Sequence, residues 1–232
     1  IVISCSTWLS LRKIRQSPKS RHTVCDQRSL AWSSGYMNFL AHIYLSGNDA
    51  KTLCGNFIGD GVKGKNANQY SRDVQTGIAL HRFIDDYTDN HPVTAEARKI
   101  IRPDFRKYSG VVLDVYFDHF LGINWHRYHP EKLEVYVPKI HAVLDDFQPR
   151  MPEKTRRFFH YMKSYNWLLN YRDLNSLSDV FHGMARRTPF KSNMEQAVPV
   201  LRDKYVDMEQ AFITFFPDLE AEAQEYLSEM RR

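Results

Sequence analysis

Residues 80–90 read "LHRFIDDYTDN". His81, Asp85 and Asp89 are spaced four apart, so on a helix they climb one side, with Leu80, Ile84 and Tyr87 beside them. The apolar spacing continues upstream through Ile78, and the pattern predicts an amphipathic helix over 71–89. His91-Pro92 ends it, because the residue before a proline disfavours the α region. A histidine and carboxylates along the apolar edge of a helix need a physical reason, since ionisable groups are rarely buried without a partner or a metal.

Working outward, the helical period recurs almost everywhere from Met37 onward. A short helix is expected over 51–64 and another over 93–107, starting near Thr94 and Glu96. The stretch "GVVLDVYFDHFLGIN", residues 110–124, reads as the most buried helix. Residues 131–147 and 152–171 are amphipathic and rich in aromatics, and 174–186 end near a basic pair. Residues 193–230 read as one long helix broken at Pro199 and Pro217. There is no internal repeat, low-complexity run or linker after residue 37. The expected fold is all-α, a single compact domain of seven to nine helices.

The composition fits that fold. The chain has 232 residues, 43% hydrophobic and 13% aromatic, enough to bury a core. Ten Gly and ten Pro are too few for a loop-rich all-β protein. No apolar run approaches the roughly 18–20 residues that span a bilayer. The net charge of +5 comes entirely from residues 1–36, with six basic residues and one acid; the rest holds 26 basic and 26 acidic residues. Global charge therefore points to no partner, and neither a nucleic acid nor a membrane is expected. Three cysteines, two of them Cys5 and Cys25, leave Cys54 alone in the main body, which fits a reducing, cytoplasmic setting. In residues 1–36 the apolar run precedes the basic residues, the reverse of a secretory signal. The segment reads as a loosely attached extension upstream of a natural start at Met37, or as a transit-like presequence.

The chemistry concentrates in histidines and aspartates on separate segments. Asp114 and Asp118 share a face with Val111, Phe117 and Leu121, where two carboxylates need a cation. His119 follows Asp118 at the helix edge. To these are added His42 in "MNFLAH", Asp60 in "GNFIGD", and His81 with Asp85. Nitrogen and oxygen donors without a thiolate suit Mn²⁺, Mg²⁺, Fe or Zn²⁺ rather than a structural zinc site. A divalent ion there would activate water near neutral pH and stabilise charge on a phosphoryl oxygen. The plain alternative is that each His/Asp pair is exposed or caps a helix. Asp86 reads as solvated and Asp89 as ending its helix. His126, His129, His141, His160 and His182 have no spacing that commends them. "GDGVKGK", residues 59–65, matches most of a phosphate loop, but Asn66 replaces the Ser or Thr and helix rather than strand precedes it.

Several motifs in order resemble one family. "MNFLAHIYLS" at 37–46, "GNFIGDGVKG" at 55–64, "GIALHRFIDDYTDNHP" at 77–92, "LDVYFDHFL" at 113–121, "WLLNYRD" at 167–173 and "GMARR" at 183–187 resemble the acyl carrier protein phosphodiesterases, over about residues 37–225. The resemblance implies an all-α fold related to the HD-type metal-dependent phosphohydrolases, with the motif order rearranged. It implies hydrolysis of the phosphodiester joining 4'-phosphopantetheine to a serine of holo-acyl carrier protein, with a divalent metal, most plausibly Mn²⁺ (Mg²⁺ or Fe²⁺ being the others). By motif, Asp60 corresponds to a metal-site carboxylate, and His42, His81, Asp85 and Asp118 to the other ligands or their supporting partners, with His119 beside them. No adjacent His-Asp pair occurs; the pair reads Asp118-His119. Arg82 or the Arg186-Arg187 pair is expected to meet the phosphate. Lys154, Arg156, Arg157 and Lys163 are candidates for a basic face toward an acidic carrier. Two rivals stand beside this reading: an HD-type phosphohydrolase for a nucleotide or small phosphodiester, and a non-enzymatic helical module that binds an acidic carrier protein.

Overall fold

A computed structural model describes residues 39–186 and 188–232, in which the apolar spacing folds into eleven α-helices joined by turns and short 3-10 segments. They are α1 (Phe39–Leu45), α2 (Ala50–Ile58), α3 (Arg72–Asn90), α4 (Pro92–Phe105), α5 (Ser109–Ile123), α6 (Leu133–Phe147), α7 (Glu153–Ser164), α8 (Trp167–Asn170), α9 (Leu174–Ala185), α10 (Ala197–Asp203) and α11 (Tyr205–Met230). No strand occurs among the described residues. The expected extension, residues 1–36, lies outside them.

The helix count exceeds the expected seven to nine because two expected helices are divided and a further short one, α1, precedes them. The 152–171 stretch breaks at Asn166, whose left-handed φ of 52° ends α7 and starts the single turn α8. The 193–230 stretch breaks at Lys204, not at its prolines. Pro199 falls in the first turn of α10, where its missing N–H is no loss, and α11 runs through Pro217. The expected 51–64 helix stops at Ile58 and gives way to 3-10 turns at Gly59–Gly61 and Gly64–Gln69. A phosphate loop needs a strand before it, so this helix excludes one.

Helix α5 is the axis of the core: eleven of its fifteen residues are buried. It packs against α1, α4 and α11. Phe117 and Phe120 meet Phe212 and Phe215 of α11 in an aromatic layer with ring centroids 5.5–6.0 Å apart. Each such buried ring contributes on the order of 1.5–3 kcal/mol.

Helices α2 and α3 lie closer than side chains allow. A Cβ on Gly55 would sit 2.1 Å from the Val74 carbonyl oxygen, and one on Gly77 would sit 2.0 Å from that of Thr52. Backbone therefore meets backbone at this crossing.

The start of α1 is held from 77 residues away. Asp118 of α5 is fully buried, and its two oxygens accept hydrogen bonds from the backbone N–H groups of Leu40 (3.0 Å) and Ala41 (2.9 Å). These are donors that a helix start leaves unsatisfied. Burial pushes the Asp118 carboxyl up to about 8, against the pull of those two N–H groups. Asp118→Ala strands both donors in the core, so urea unfolding should show a loss of about 3 kcal/mol.

Candidate metal centre

Three segments bring four sequence-predicted residues together. His42 comes from α1, His81 and Asp85 from successive turns of α3, and Asp60 from the 3-10 turn Gly59–Gly61. The two imidazoles stack with centroids 4.2 Å apart. His42 Nε2 lies 3.2 Å from Asp85 Oδ1. His81 Nε2 lies 3.4 Å from Asp85 Oδ2 and 3.4 Å from Asp60 Oδ1. One ligand atom from each of His42, His81 and Asp85 falls within 4.8 Å of the others. A glycine makes this possible: a Cβ on Gly59 would stand 2.3 Å from the His81 ring.

Asn56 of α2 decides how both rings present themselves. Its Nδ2 donates to the His42 carbonyl (2.8 Å) and to Ser46 Oγ (3.0 Å), which fixes Oδ1 as the acceptor. Both imidazole Nδ1 atoms point at that oxygen, His42 at 2.8 Å and His81 at 3.2 Å. Each Nδ1 therefore carries the proton and donates, so in the neutral rings each Nε2 carries the lone pair. Both Nε2 atoms and Asp60 Oδ2 are buried and, among the described residues, make no hydrogen bond, although the Nε2 atoms face the Asp85 and Asp60 carboxylates.

Lone pairs and carboxylates thus converge on one point and require a positive charge there. The residues fit a divalent cation: two imidazoles oriented through their other nitrogen, and oxygen donors from two aspartates. The same demand is visible in the protonation of the cluster. Burial alone would lower the His42 pKa, but Asp85, Asn56 and Asp60 outweigh it and the pKa is raised. Burial would raise the Asp85 carboxyl, yet His42 and His81 bring it below its ordinary value.

A comparison with known families bears on this centre: the family model described as acyl carrier protein phosphodiesterase matches residues 37–219. The chain belongs to that family. Among curated proteins it is similar to the acyl carrier protein phosphodiesterase of Photorhabdus laumondii, 34% identical over 189 residues, covering 81% of this chain and 96% of that protein. The proteins of the same name from Salmonella agona and Salmonella paratyphi A are each 36% identical over 188 residues, covering 81% of this chain and 97% of theirs. No solved structure matches.

In this acyl carrier protein phosphodiesterase family member, other expected site residues stand elsewhere. Asp118 is not brought into the cluster, because its carboxylate is occupied by the start of α1. His119 is turned the other way: its Nδ1 meets the Tyr171 carbonyl at 2.7 Å and its Nε2 faces Tyr205 Oη at 3.5 Å. Arg82, an exposed residue, donates to the Val62 carbonyl at 3.0 Å and braces the turn that follows Asp60. Arg186 lines a separate pocket with Tyr161 and Trp167, and Arg187 lies outside the described residues. Asp89 pairs with Arg98 at 2.7 Å. Asn56 was missed. Its one signal was its place in "GNFIGD", a buried amide on an apolar helix, four residues before Asp60.

Two outcomes follow from this geometry. Asn56→Ala removes the shared acceptor, and Mn²⁺ affinity measured by equilibrium dialysis should fall about 10–100-fold while helical circular dichroism is kept. Protons also compete for His42 Nε2. Its raised pKa means that ring is already protonated at pH values where an ordinary histidine is neutral. Metal affinity should therefore be steady above that pKa and fall about tenfold for each pH unit below it, read by titration at several pH values.

Proposed function

We propose that the protein is a metal-dependent phosphodiesterase that hydrolyses 4'-phosphopantetheine from holo-acyl carrier protein, leaving apo-carrier. The observation that carries this reading is the convergence of His42 Nε2, His81 Nε2 and the carboxylates of Asp60 and Asp85, with both Nε2 atoms and Asp60 Oδ2 buried and making no hydrogen bond among the described residues. The names of the curated relatives supply the substrate.

His42, His81 and Asp85 would hold a divalent ion, with Mn²⁺ proposed ahead of Mg²⁺ or Fe²⁺. Bound there, it would supply Lewis-acid stabilisation of phosphoryl charge and a lowered pKa for water. Asn56 keeps both imidazoles turned to the reacting centre. Asp60, beside His81 in its turn, would accept a proton from the attacking water. Asp85 forms the open edge, its side chain 46% exposed, so the diester enters past it. Water oxygen bonds to phosphorus, the bond from phosphorus to the serine oxygen breaks, and that oxygen leaves with a proton. The kinship with HD-type phosphohydrolases belongs to the same proposal, supported by a donor set of histidines and aspartates carried largely on helices. A cytoplasmic site of action is supported by the buried free thiol of Cys54. No helix among the described residues is long and apolar enough to cross a membrane.

The test is mass spectrometry of holo-carrier incubated with the protein and Mn²⁺, with and without a chelator. Loss of one phosphopantetheine mass, blocked by the chelator, is expected. Asp60→Ala should lower the rate at least about a hundredfold with the helical signal intact. An unchanged carrier mass together with hydrolysis of free nucleotides would instead identify the nucleotide-directed rival.

A further inference from the structure

A cleft of about 690 Å³ opens beside the metal centre, between the end of α3, the length of α4 and the start of α5. Asp85 belongs to both, so cleft and centre are continuous. The wall supplied by α4 and the 3-10 turn after it is cationic, with Arg98, Lys99, Arg102, Arg106 and Lys107. A second hollow of about 580 Å³ shares Lys99, Arg102, Arg106 and Lys107 and carries the same face further outward.

Only some of the basic residues elsewhere are answered by acids, and Lys154 and Arg156 of α7 have no ion pair among the described residues. Lys51 pairs with Asp73, Lys139 with Glu131, Arg157 with Glu153, Lys163 with Asp145 and Arg172 with Glu134. This includes half of the basic face expected on α7, which lines neither hollow. In the cleft, Arg98 is paired with Asp89 and Lys99 with Glu96. Arg102, Arg106 and Lys107 are exposed and have no ion pair among the described residues. They belong to a body, residues 37–232, that as a whole balances 26 basic against 26 acidic residues. Arg106 holds a left-handed φ of 53°, an unfavourable conformation for a residue with a side chain, at the turn between α4 and α5. Beside it, Lys107 Nζ rests 4.0 Å above the ring of Phe190, a phenylalanine 64% exposed.

From these features we infer that the α4 cleft is the docking surface for the protein substrate, and that it receives an acidic face of the carrier whose serine-linked diester is then delivered past Asp85. This rests on the carrier-hydrolysis reading above. A macromolecular substrate touches an enzyme over far more area than the reacting diester. Arg102, Arg106 and Lys107 of the wall that adjoins the centre have no ion pair among the described residues, and although Asp89 and Asp114 also line the cleft, the α4 side of it attracts an acidic face. Phe190 at the edge gives such a contact an apolar anchor.

The experiment compares steady-state hydrolysis of holo-carrier by the wild type, by Arg102→Glu/Lys107→Glu, and by the charge-matched Lys154→Glu/Arg156→Glu on α7. Hydrolysis of bis(p-nitrophenyl) phosphate reports on the centre itself. The cleft variant should raise KM for the carrier about tenfold or more, with kcat within about twofold and the small diester unaffected. Added salt should raise the wild-type KM and leave that of the cleft variant nearly flat. The α7 variant should match the wild type. An unchanged KM in the cleft variant overturns the inference, as does a raised KM in the α7 variant alone. Wild-type protein that cleaves the small diester but never the carrier defeats the functional reading itself, a distinct result.

Discussion

The contact on which the rest of the molecule depends is the one between the backbones of α2 and α3 at Gly55 and Gly77. Any side chain at either position would lie about 2 Å from a carbonyl of the other helix. With the two helices at that distance, Asn56, the residue next to Gly55, reaches His81 one turn beyond Gly77. Gly59 extends the same close approach by letting the His81 ring lie on the chain just before Asp60. The position of three of the site's side chains thus follows from where side chains are missing. A sliding or splaying of this crossing would separate the groups without altering any of them, and positions held by packing of this kind resist small displacements.

Asn56 converts that packing into chemistry. A carboxamide has one acceptor oxygen and two donor hydrogens, and here all are used inside the protein. The donor side anchors it to the backbone of α1 and to Ser46; the acceptor side takes a proton from each ring. A water in its place would not discriminate between the two ring nitrogens. An aspartate would add a charge to a cluster already rich in carboxylate. The neutral amide orients both imidazoles and leaves the charge balance to Asp60 and Asp85.

Much of this could be read in the sequence, and the rest could not for identifiable reasons. The helix at 72–90 follows from its apolar period, and the pairing of His81 with Asp85 from a spacing of four. Asp118 carries the same sequence signature as a ligand: a carboxylate on an apolar helix face. Sequence requires that such a group have a partner but not whether the partner is a cation or a pair of backbone N–H groups, and here it is the latter. Asn56 is uncharged and drew no attention. The basic wall on α4 and the one expected on α7 look alike as strings of letters. What separates them is that the α4 wall lines the cleft that reaches Asp85 while α7 does not, and that is a tertiary fact. The breaks at Asn166 and Lys204 were hidden for a similar reason, since neither residue is a strong breaker by type.

The bond between Asp118 and the start of α1 also ties the centre to segments far apart in the chain. The stretch from α2 to α3 gathers Asn56, Asp60, His81 and Asp85. Helix α1 precedes it, and the buried amides of its first turn find their acceptor at Asp118, on α5. His42, on that short helix, is held from two sides, by Asn56 of α2 and through Asp118 of α5. The centre and the core thus share a support: α5, packed in the hydrophobic interior, also holds the helix that carries His42.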